Sequence, residues 1–507
     1  MGRKLKIAIV AVAAVLLVGG VGCSSYRHCQ WREGDQSVLV ESDYSLAFIE
    51  MDDEGWMWNK NQVEGAMRLI RSKADERNTI VLTFVHGWHH SAECCDGNVE
   101  GFRQALKQLS ANLNTSRDFN VVGLYIGWRG RSLPGFLDYG TFWGRKGAAE
   151  RIGENDMKEF VARLQELYVE YRPDARRPRS RSAPADEAPS DNGAKHFLGM
   201  VIIGHSFGSQ VLLKAISAPL EDQFQRVNPA PAYLRDAQPG TPNPERKVTV
   251  SGIGDLVVLI NPAVEASQYH RLDILSRGLS YSRLQNPIIL TVSAENDTAR
   301  HRLFTWGRIA GEFFGGKPRK KNDVERNVER QALGVYPGHV THQLIPTDSN
   351  VKLKSRTMRG DPRLCNNRET CESDWYEWAT KAVPSKPDSI NQNEPAGAKV
   401  RSFDFSCEVV FNNVELSRLD SPTPAGATNR TQAGCRTPIP YQPFIVARTS
   451  KHIIDNHSGI FTQPFLDFLV PYIRYIEIKS LVNVSDKKRT REQEMQAIEE
   501  QRPGVAR

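Results

Sequence analysis

The five residues Gly204-His205-Ser206-Phe207-Gly208 place a serine between two glycines. They follow an apolar run from Phe197 to Ile203 and precede a helical pattern from Ser209 to Ala218. In a sharp strand-to-helix turn a serine hydroxyl is exposed, and glycines are needed because side chains there would collide with neighbouring elements. A serine held in this way can attack an acyl carbon, so Ser206 is the candidate nucleophile.

A second turn follows an earlier apolar run. Thr79 to Val85 is rich in β-branched residues, and His86-Gly87-Trp88 comes directly after it. Cleavage of an acyl bond needs backbone N–H groups aimed at the developing oxyanion. Together with the serine pattern, this His-Gly turn resembles the α/β-hydrolase superfamily over about residues 44–475. The resemblance implies that the two N–H groups belong to Phe207 and Trp88.

In that family the nucleophile is followed along the chain by an acid and then by a histidine. The acid is expected after a later strand of the sheet, and Pro287 to Val292 predicts that strand. The residues after it, Ser293 to Asp297, contain two acids. Asp297 is the preferred acid, and Glu295 is the alternative.

Four downstream histidines are candidates for the base that takes the serine proton. His339 and His342 lie in an irregular stretch before the last predicted strand, Phe444 to Ala447. His452 and His457 follow that strand, as the family's histidine does. His457 is preferred because it lies next to the final predicted helix among small residues that permit an exposed turn, and His452 is the alternative.

The resemblance implies hydrolysis of a carboxylic ester or related acyl bond of a small molecule or lipid, without a cofactor. Ser206 attacks, His457 is the general base and then the general acid, and Asp297 orients the histidine. A competing hypothesis is a catalytically inactive, membrane-anchored binding or scaffold protein on the same fold, because fold does not fix function. Covalent labelling of Ser206 separates the two hypotheses.

The elements that must position these residues alternate between strand and helix. This alternation predicts an α/β fold with a mostly parallel sheet flanked by helices, in one domain over 44–475. One long helix is predicted over Ala148–Tyr171, followed by a Pro- and Arg-rich surface insertion at 172–195. A lid-like insertion at about 311–437 precedes the last strand, and 486–507 is a charged tail.

Two further groups near the His-Gly turn have open interpretations. Trp128 and Arg129 end the strand predicted beside Thr79–Val85, where they either line the pocket mouth or are a packed tryptophan and a solvated arginine. His86, His89, His90, Cys94 and Cys95 are residue types that bind zinc. Their adjacent pairs do not match common ligand spacings, so no metal site is predicted.

The net charge of +7 is unevenly spread. Arg3, Lys4 and Lys6 precede the first apolar run, and five arginines crowd 172–181. Without these two clusters the chain is close to neutral. A nucleic-acid partner is therefore not predicted, because that function needs basic residues arranged on a folded surface.

The N-terminus has the pattern of an export signal over residues 1–22. An apolar run from Ile7 to Val18 is shorter than a membrane-spanning helix requires. The end of this segment resembles the bacterial lipoprotein box, in which Cys23 would be lipidated, although Gly20 stands where leucine is usual. A lipoprotein, an uncleaved anchor and plain secretion stay open, and all three place the folded part outside the cytoplasm.

The chain has eight cysteines, and disulfides are expected in an oxidising compartment. Cys365 with Cys371, and Cys407 with Cys435, are plausible pairs. Connectivity does not follow from sequence, and lipidation of Cys23 leaves an odd number, so at least one thiol stays unpaired.

Overall fold

The computed structural model describes parts of the chain between residues 37 and 477. The described residues are 37–93, 96–113, 119–132, 138, 141–172, 196–227, 247–282, 285–297, 323–346, 409–411, 414–418, 441–474 and 476–477. The predicted signal segment, all the cysteines, the Pro-rich insertion after residue 172 and the charged tail lie outside them. In the described part, no helix combines the length and apolar composition that a membrane span requires.

Strands and helices alternate through most of the described chain. The strands are β1 (Val38–Val40), β2 (Ser45–Glu50), β3 (Asn78–Val85), β4 (Phe119–Gly127), β5 (Leu198–His205), β6 (Lys247–Val248), β7 (Leu256–Ile260), β8 (Ser280–Tyr281), β9 (Ile289–Ala294), β10 (His342–Pro346), β11 (Val409–Phe411), β12 (Val414–Arg418) and β13 (Phe444–Thr449). The helices are α1 (Lys60–Glu76), α2 (Gly97–Leu113), α3 (Phe142–Glu154), α4 (Asp156–Tyr171), α5 (Phe207–Val227), α6 (Ala266–Arg277), α7 (Asp323–Arg330) and α8 (463–474).

One sheet contains most of the strands, in the order β1-β2-β4-β3-β5-β7-β9-β13-β10-β12-β11. Every neighbouring pair from β2 to β10 is parallel. Antiparallel pairs occur at the two edges, through β1 on one side and through β12 and β11 on the other. The predicted α/β class with a mostly parallel sheet flanked by helices is confirmed.

Helices cover both faces of the sheet because its central strands are buried on both sides. β3, β4 and β5 carry almost uninterrupted runs of buried residues. One face packs against α1, α3, α4, α5 and α6, and the other packs against α2 and α8. On α1, Val63, Met67 and Ile70 are buried at helical spacing. The carboxyl ends of the parallel strands therefore share one edge, which is where such sheets carry their sites.

The prediction of a single long helix over Ala148–Tyr171 is wrong, because two helices, α3 and α4, meet at Asn155. The loop after β2 docks at this break. The Asp156 N–H donates to the Gly55 carbonyl at 3.1 Å, and Asn155 Nδ2 donates to the Glu54 carbonyl at 2.7 Å. The helical periodicity runs through the break, so only the docked loop reveals it.

Part of the segment 311–437 joins the sheet. β10 pairs in parallel with β13, and β12 and β11 continue the sheet beyond β10. Outside the sheet, α7 and residues 331–341 of this segment are also described, whereas 311–322, 347–408, 412–413 and 419–437 lie outside the described residues. As a result β13, the last of the described strands in chain order, lies inside the sheet and has a neighbour on each side.

A buried polar cluster lies at the amino end of β7, away from the carboxyl edge. Asp255 accepts hydrogen bonds from the Tyr168 hydroxyl at 2.7 Å and the Met200 N–H at 2.9 Å, and it pairs with Arg172 at 3.2 Å. Burial, together with the nearby Asp255 carboxylate, raises the pKa of Glu477 well above its usual range. These groups join α4 and the chain's C-terminal part to the sheet.

Candidate active site

Ser206 occupies the single residue between β5 and α5, and its backbone is in the left-handed region with φ of 54°. For a residue with a side chain this conformation costs about 1–3 kcal/mol. Hydrogen bonds on both sides hold it: the Ser206 N–H donates to the Ile260 carbonyl at 3.0 Å, and its carbonyl accepts from the Ala263 N–H at 3.1 Å. The loop after β7 therefore fixes the strained turn.

Glycines surround the turn because neighbouring chain approaches too closely for side chains. A β-carbon on Gly204 would lie 2.8 Å from the Gly208 carbonyl group. One on Gly208 would overlap the Val85 carbonyl at the end of β3. One on Gly87 would lie 2.7 Å from the β-carbon of Ser206, so the His-Gly turn lies directly against the serine.

The side chains of Ser206, His457 and Asp297 form one hydrogen-bonded row. His457 Nε2 lies 2.7 Å from Ser206 Oγ, and His457 Nδ1 lies 2.6 Å from Asp297 Oδ2. Asp297 is fully buried, whereas the His457 side chain is 24% exposed and therefore reachable by a substrate. Because a carboxylate only accepts, Nδ1 carries the proton, and Nε2 is left to accept the serine proton. Their catalytic role stays a prediction.

The other acid and histidine candidates lie elsewhere. Glu295 is exposed, and its backbone N–H donates to the Thr449 carbonyl at 3.0 Å. His452 is also exposed, in the same loop as His457 but in an earlier turn. The remaining two histidines are buried away from Ser206: His339 against His270 at 2.9 Å, and His342 against Thr341 at 2.8 Å.

The two residues predicted to supply oxyanion N–H groups flank Ser206. Phe207 is the first residue of α5, where backbone N–H groups have no partner within the helix. Trp88 follows Gly87, whose carbonyl accepts a hydrogen bond from His86 Nδ1 at 2.8 Å. Because the C=O and N–H of a trans peptide point in opposite directions, this bond directs the Trp88 N–H away from the His86 ring.

The tautomer of His86 allows its Nδ1 to donate that hydrogen bond. Its Nε2 accepts the Trp128 N–H at 3.0 Å, so Nδ1 carries the proton. Burial lowers the pKa of His86 to about 4, which keeps the ring neutral. Trp128 is buried, stacks on His86 with ring centroids 5.4 Å apart, and donates its Nε1–H to the His86 carbonyl at 2.9 Å. Of the two interpretations of Trp128, the packed residue is therefore the one found.

Arg129, the neighbour of Trp128, forms an ion pair with Asp53. Arg145 also contacts this carboxylate, at 2.7 Å, and donates to the Arg129 carbonyl at 2.9 Å. The two guanidinium groups lower the pKa of Asp53 against the opposing effect of its burial. Arg129 is therefore an ion-paired residue rather than a solvated one. It ties the end of β4 to the loop after β2.

Histidines near the turn pair with carboxylates. His89 Nδ1 lies 2.7 Å from Asp138, and His90 Nδ1 lies 2.9 Å from Asp96. Both bonds hold the turn that follows Gly87. Cys94 and Cys95, the other members of the zinc-type cluster, lie outside the described residues.

Another group among the described residues has ligand atoms close enough to hold a metal ion: His270, Asp273 and His339. His270 Nδ1 and His339 Nε2 are 2.9 Å apart and hydrogen-bond to each other. Arg277 already neutralises the Asp273 carboxylate through an ion pair. Both imidazole rings and the carboxylate therefore have hydrogen-bond or ion-pair partners in this structure.

Two residues at the site were missed in the sequence. Asn261 Nδ2 and His205 Nε2 both approach the carbonyl oxygen of His457, at 2.9 and 3.0 Å. The available signal was the position of Asn261 at the end of a buried strand, since asparagine adopts left-handed backbone more readily than most residues. His205 gave no signal beyond its place inside the serine pattern.

Comparison of the chain with models of known protein families, with curated proteins and with solved structures finds no match. Function is therefore inferred from the chemistry of the site.

Proposed function

We propose that the protein is a serine hydrolase that cleaves a carboxylic ester or a related acyl bond through an acyl-enzyme intermediate. The observation that carries the proposal is the row from Asp297 through His457 to Ser206, with separations of 2.6 and 2.7 Å. These side chains come from positions 160 and 251 residues apart. Three side chains so far apart in sequence form a nucleophile–base–acid row only when the fold brings them together.

The finer fold class that we propose is the α/β-hydrolase fold, with a large insertion before β13. Its support is the chain order of the parts. The oxyanion turn follows β3, the nucleophile lies between β5 and α5, the acid follows β9, and the histidine follows β13. This is the order Ser, Asp, His of that fold, with the serine in a strained strand-to-helix turn.

In the first half-reaction Ser206 Oγ attacks the acyl carbon while its proton passes to His457 Nε2. The carbonyl oxygen becomes an oxyanion, which the N–H groups of Phe207 and Trp88 stabilise. Asp297 stabilises the imidazolium that forms. The bond from the acyl carbon to the leaving alcohol then breaks, and His457 returns the proton to the alcohol oxygen.

In the second half-reaction water replaces the alcohol. His457 takes a proton from water as the water oxygen attacks the acyl carbon of the serine ester. The bond to Ser206 Oγ breaks, and the proton returns to that oxygen. A carboxylic acid leaves, and the serine, the histidine and Asp297 are restored to their starting protonation states.

A fluorophosphonate probe tests the proposal, because it forms a covalent bond only with an activated serine. We expect the wild-type chain to be labelled and to hydrolyse p-nitrophenyl esters, and Ser206→Ala to lose both activities. A wild-type chain that resists labelling would instead favour the inactive binding or scaffold protein. A series of p-nitrophenyl esters of increasing acyl length then defines the substrate class.

We also propose that the protein acts outside the cytoplasm, attached to a membrane through lipidated Cys23. This proposal is supported by the basic and apolar pattern of residues 1–22. Fractionation combined with alkyne fatty-acid labelling, applied to cells that express the wild type and Cys23→Ser, separates the three alternatives. Label on a membrane-bound wild type that is lost in Cys23→Ser indicates lipidation, membrane retention of both without label indicates an uncleaved anchor, and release of both indicates plain secretion.

A further inference from the structure

The backbone carbonyl of His457 accepts two hydrogen bonds from side chains on other segments. His205 Nε2 lies 3.0 Å from this oxygen, and Asn261 Nδ2 lies 2.9 Å from it. Since a carbonyl only accepts, both side chains donate, and His205 is the tautomer with its proton on Nε2. Burial lowers the pKa of His205 well below its usual value, which agrees with a neutral ring.

The orientation of the Asn261 amide is fixed from both sides. Its Nδ2 faces the carbonyls of Asn456 and His457, at 3.2 and 2.9 Å. Its Oδ1 accepts the N–H of Ala294, the last residue of β9, at 2.8 Å. Only the amide nitrogen can donate and only the amide oxygen can accept, so the reversed orientation would lose all three bonds.

The backbone around Asn261 connects the same turn to the remaining catalytic segments. The Asn261 N–H donates to the Val292 carbonyl in β9, three residues before the loop that carries the acid begins. Ile260 and Ala263, on either side, make the two backbone hydrogen bonds that hold Ser206. Asn261 adopts φ of 44°, a left-handed conformation that brings its side chain and backbone to these partners together.

The turn that carries His457 needs such support. Asp455, Asn456 and Ser458 are exposed, so little burial fixes the backbone there. Yet the His457 ring must stay within hydrogen-bond distance of two partners at once. Two donors on one carbonyl supply a fixed point for this turn directly at the catalytic histidine.

We propose that Asn261 and His205 are positioning residues that hold the carbonyl of His457 and thereby align its ring between Ser206 and Asp297. The inference rests on the proposed function, since it explains how the catalytic base is kept in place. Neither residue touches the reacting atoms.

Three variants test the inference through the rate of fluorophosphonate labelling of Ser206. His205→Leu removes one donor, and Asn261→Asp replaces the other donor by an acceptor. His205→Gln keeps a donor, because the glutamine amide nitrogen reaches about as far from the backbone as Nε2 of histidine. We expect the first two to slow labelling by at least about tenfold each, because each removes one of the two hydrogen bonds to the His457 carbonyl. We expect His205→Gln to recover most of the wild-type rate, and ester hydrolysis to lose kcat with little change in KM.

The double variant His205→Leu with Asn261→Asp gives the sharper result. Each single variant leaves one donor on the carbonyl, whereas the double variant leaves none. We therefore expect its loss of rate to exceed the product of the two single losses. A double variant whose loss equals that product would overturn the shared role on one carbonyl.

Controls separate positioning from general damage to the fold. Ile70→Val trims a buried side chain of α1, and His452→Ala changes an exposed residue of the same loop as His457. Both should label at the wild-type rate. Labelling of His205→Leu and Asn261→Asp at the wild-type rate would refute the inference alone, as would a His205→Gln variant as slow as His205→Leu. A wild-type chain that is not labelled at all would overturn the proposed function and this inference together.

Discussion

Replacing Asp297 with asparagine removes the negative charge beside His457 while keeping the size of the side chain. The carboxylate is fully buried and lies 2.6 Å from His457 Nδ1. In the proposed mechanism its charge matters most when the ring becomes an imidazolium during attack by Ser206. An asparagine amide in its place presents either an oxygen or an N–H to Nδ1, and the N–H would favour the wrong tautomer of the ring.

The size of the effect follows from the geometry. The charge centres of a carboxylate and an imidazolium in direct contact are roughly 4 Å apart, and at an effective dielectric constant of about 20 they attract by about 4 kcal/mol. Loss of this attraction from the transition state slows the reaction by about a thousandfold. Because Asp297 has no solvent exposure, water would not replace its charge.

The assay is the rate of fluorophosphonate labelling together with kcat/KM for p-nitrophenyl butyrate. The matched control is Glu295→Gln, an isosteric loss of charge two residues earlier in the same loop. Since Glu295 is exposed, this control should stay within about twofold of the wild type, because surface charges contribute little. An Asp297→Asn variant that keeps more than about a tenth of the wild-type rate would refute the electrostatic role assigned to this carboxylate.

Three further predictions concern the proposed base, a buried glutamate and the His-Gly turn. His457→Ala should abolish ester hydrolysis and His452→Ala should not, and the reverse result in the p-nitrophenyl assay would move the base to the other histidine. Glu477→Gln should raise Tm by a few degrees at pH 8 and by less at pH 5 in thermal melts. The reason is that burial raises the pKa of Glu477. The wild-type protein therefore loses stability as pH rises from the ordinary glutamate pKa toward the raised one. Equal Tm differences at both pH values would contradict this reasoning. Gly87→Ala should slow labelling of Ser206 by at least about tenfold, because the added carbon would lie 2.7 Å from the serine β-carbon, and an unchanged rate would show that the turn yields.

The prediction from sequence worked best where chemistry and local pattern coincide. The run of β-branched residues in β3 and the glycines around Ser206 constrain the backbone within a few residues, so their structures follow from local sterics. The alternation of such runs with helical patterns also fixed the α/β class, because strands buried on both faces need helices on both sides. Local pattern was misleading at Asn155, where the docked loop after β2 ends one helix and starts the next.

Local pattern ranked the candidate acids and the candidate histidines, but it did not decide which of them lie beside the distant Ser206. His452 and His457 share one loop, and Glu295 and Asp297 share another, so local pattern gave a preference within each pair but did not settle it. The structure does so by burial and distance, since only Asp297 is buried and only His457 lies between it and Ser206.

The sequence by itself determined the candidate nucleophile at Ser206, the His-Gly turn before Trp88, and the class of fold. Only the tertiary structure decided which acid and which histidine meet at the serine, and that Asn261 and His205 hold the histidine. The physical reason is that a strained turn is encoded by the few residues within it. A hydrogen bond across 160 positions depends instead on how separate strands pair and where their ends meet.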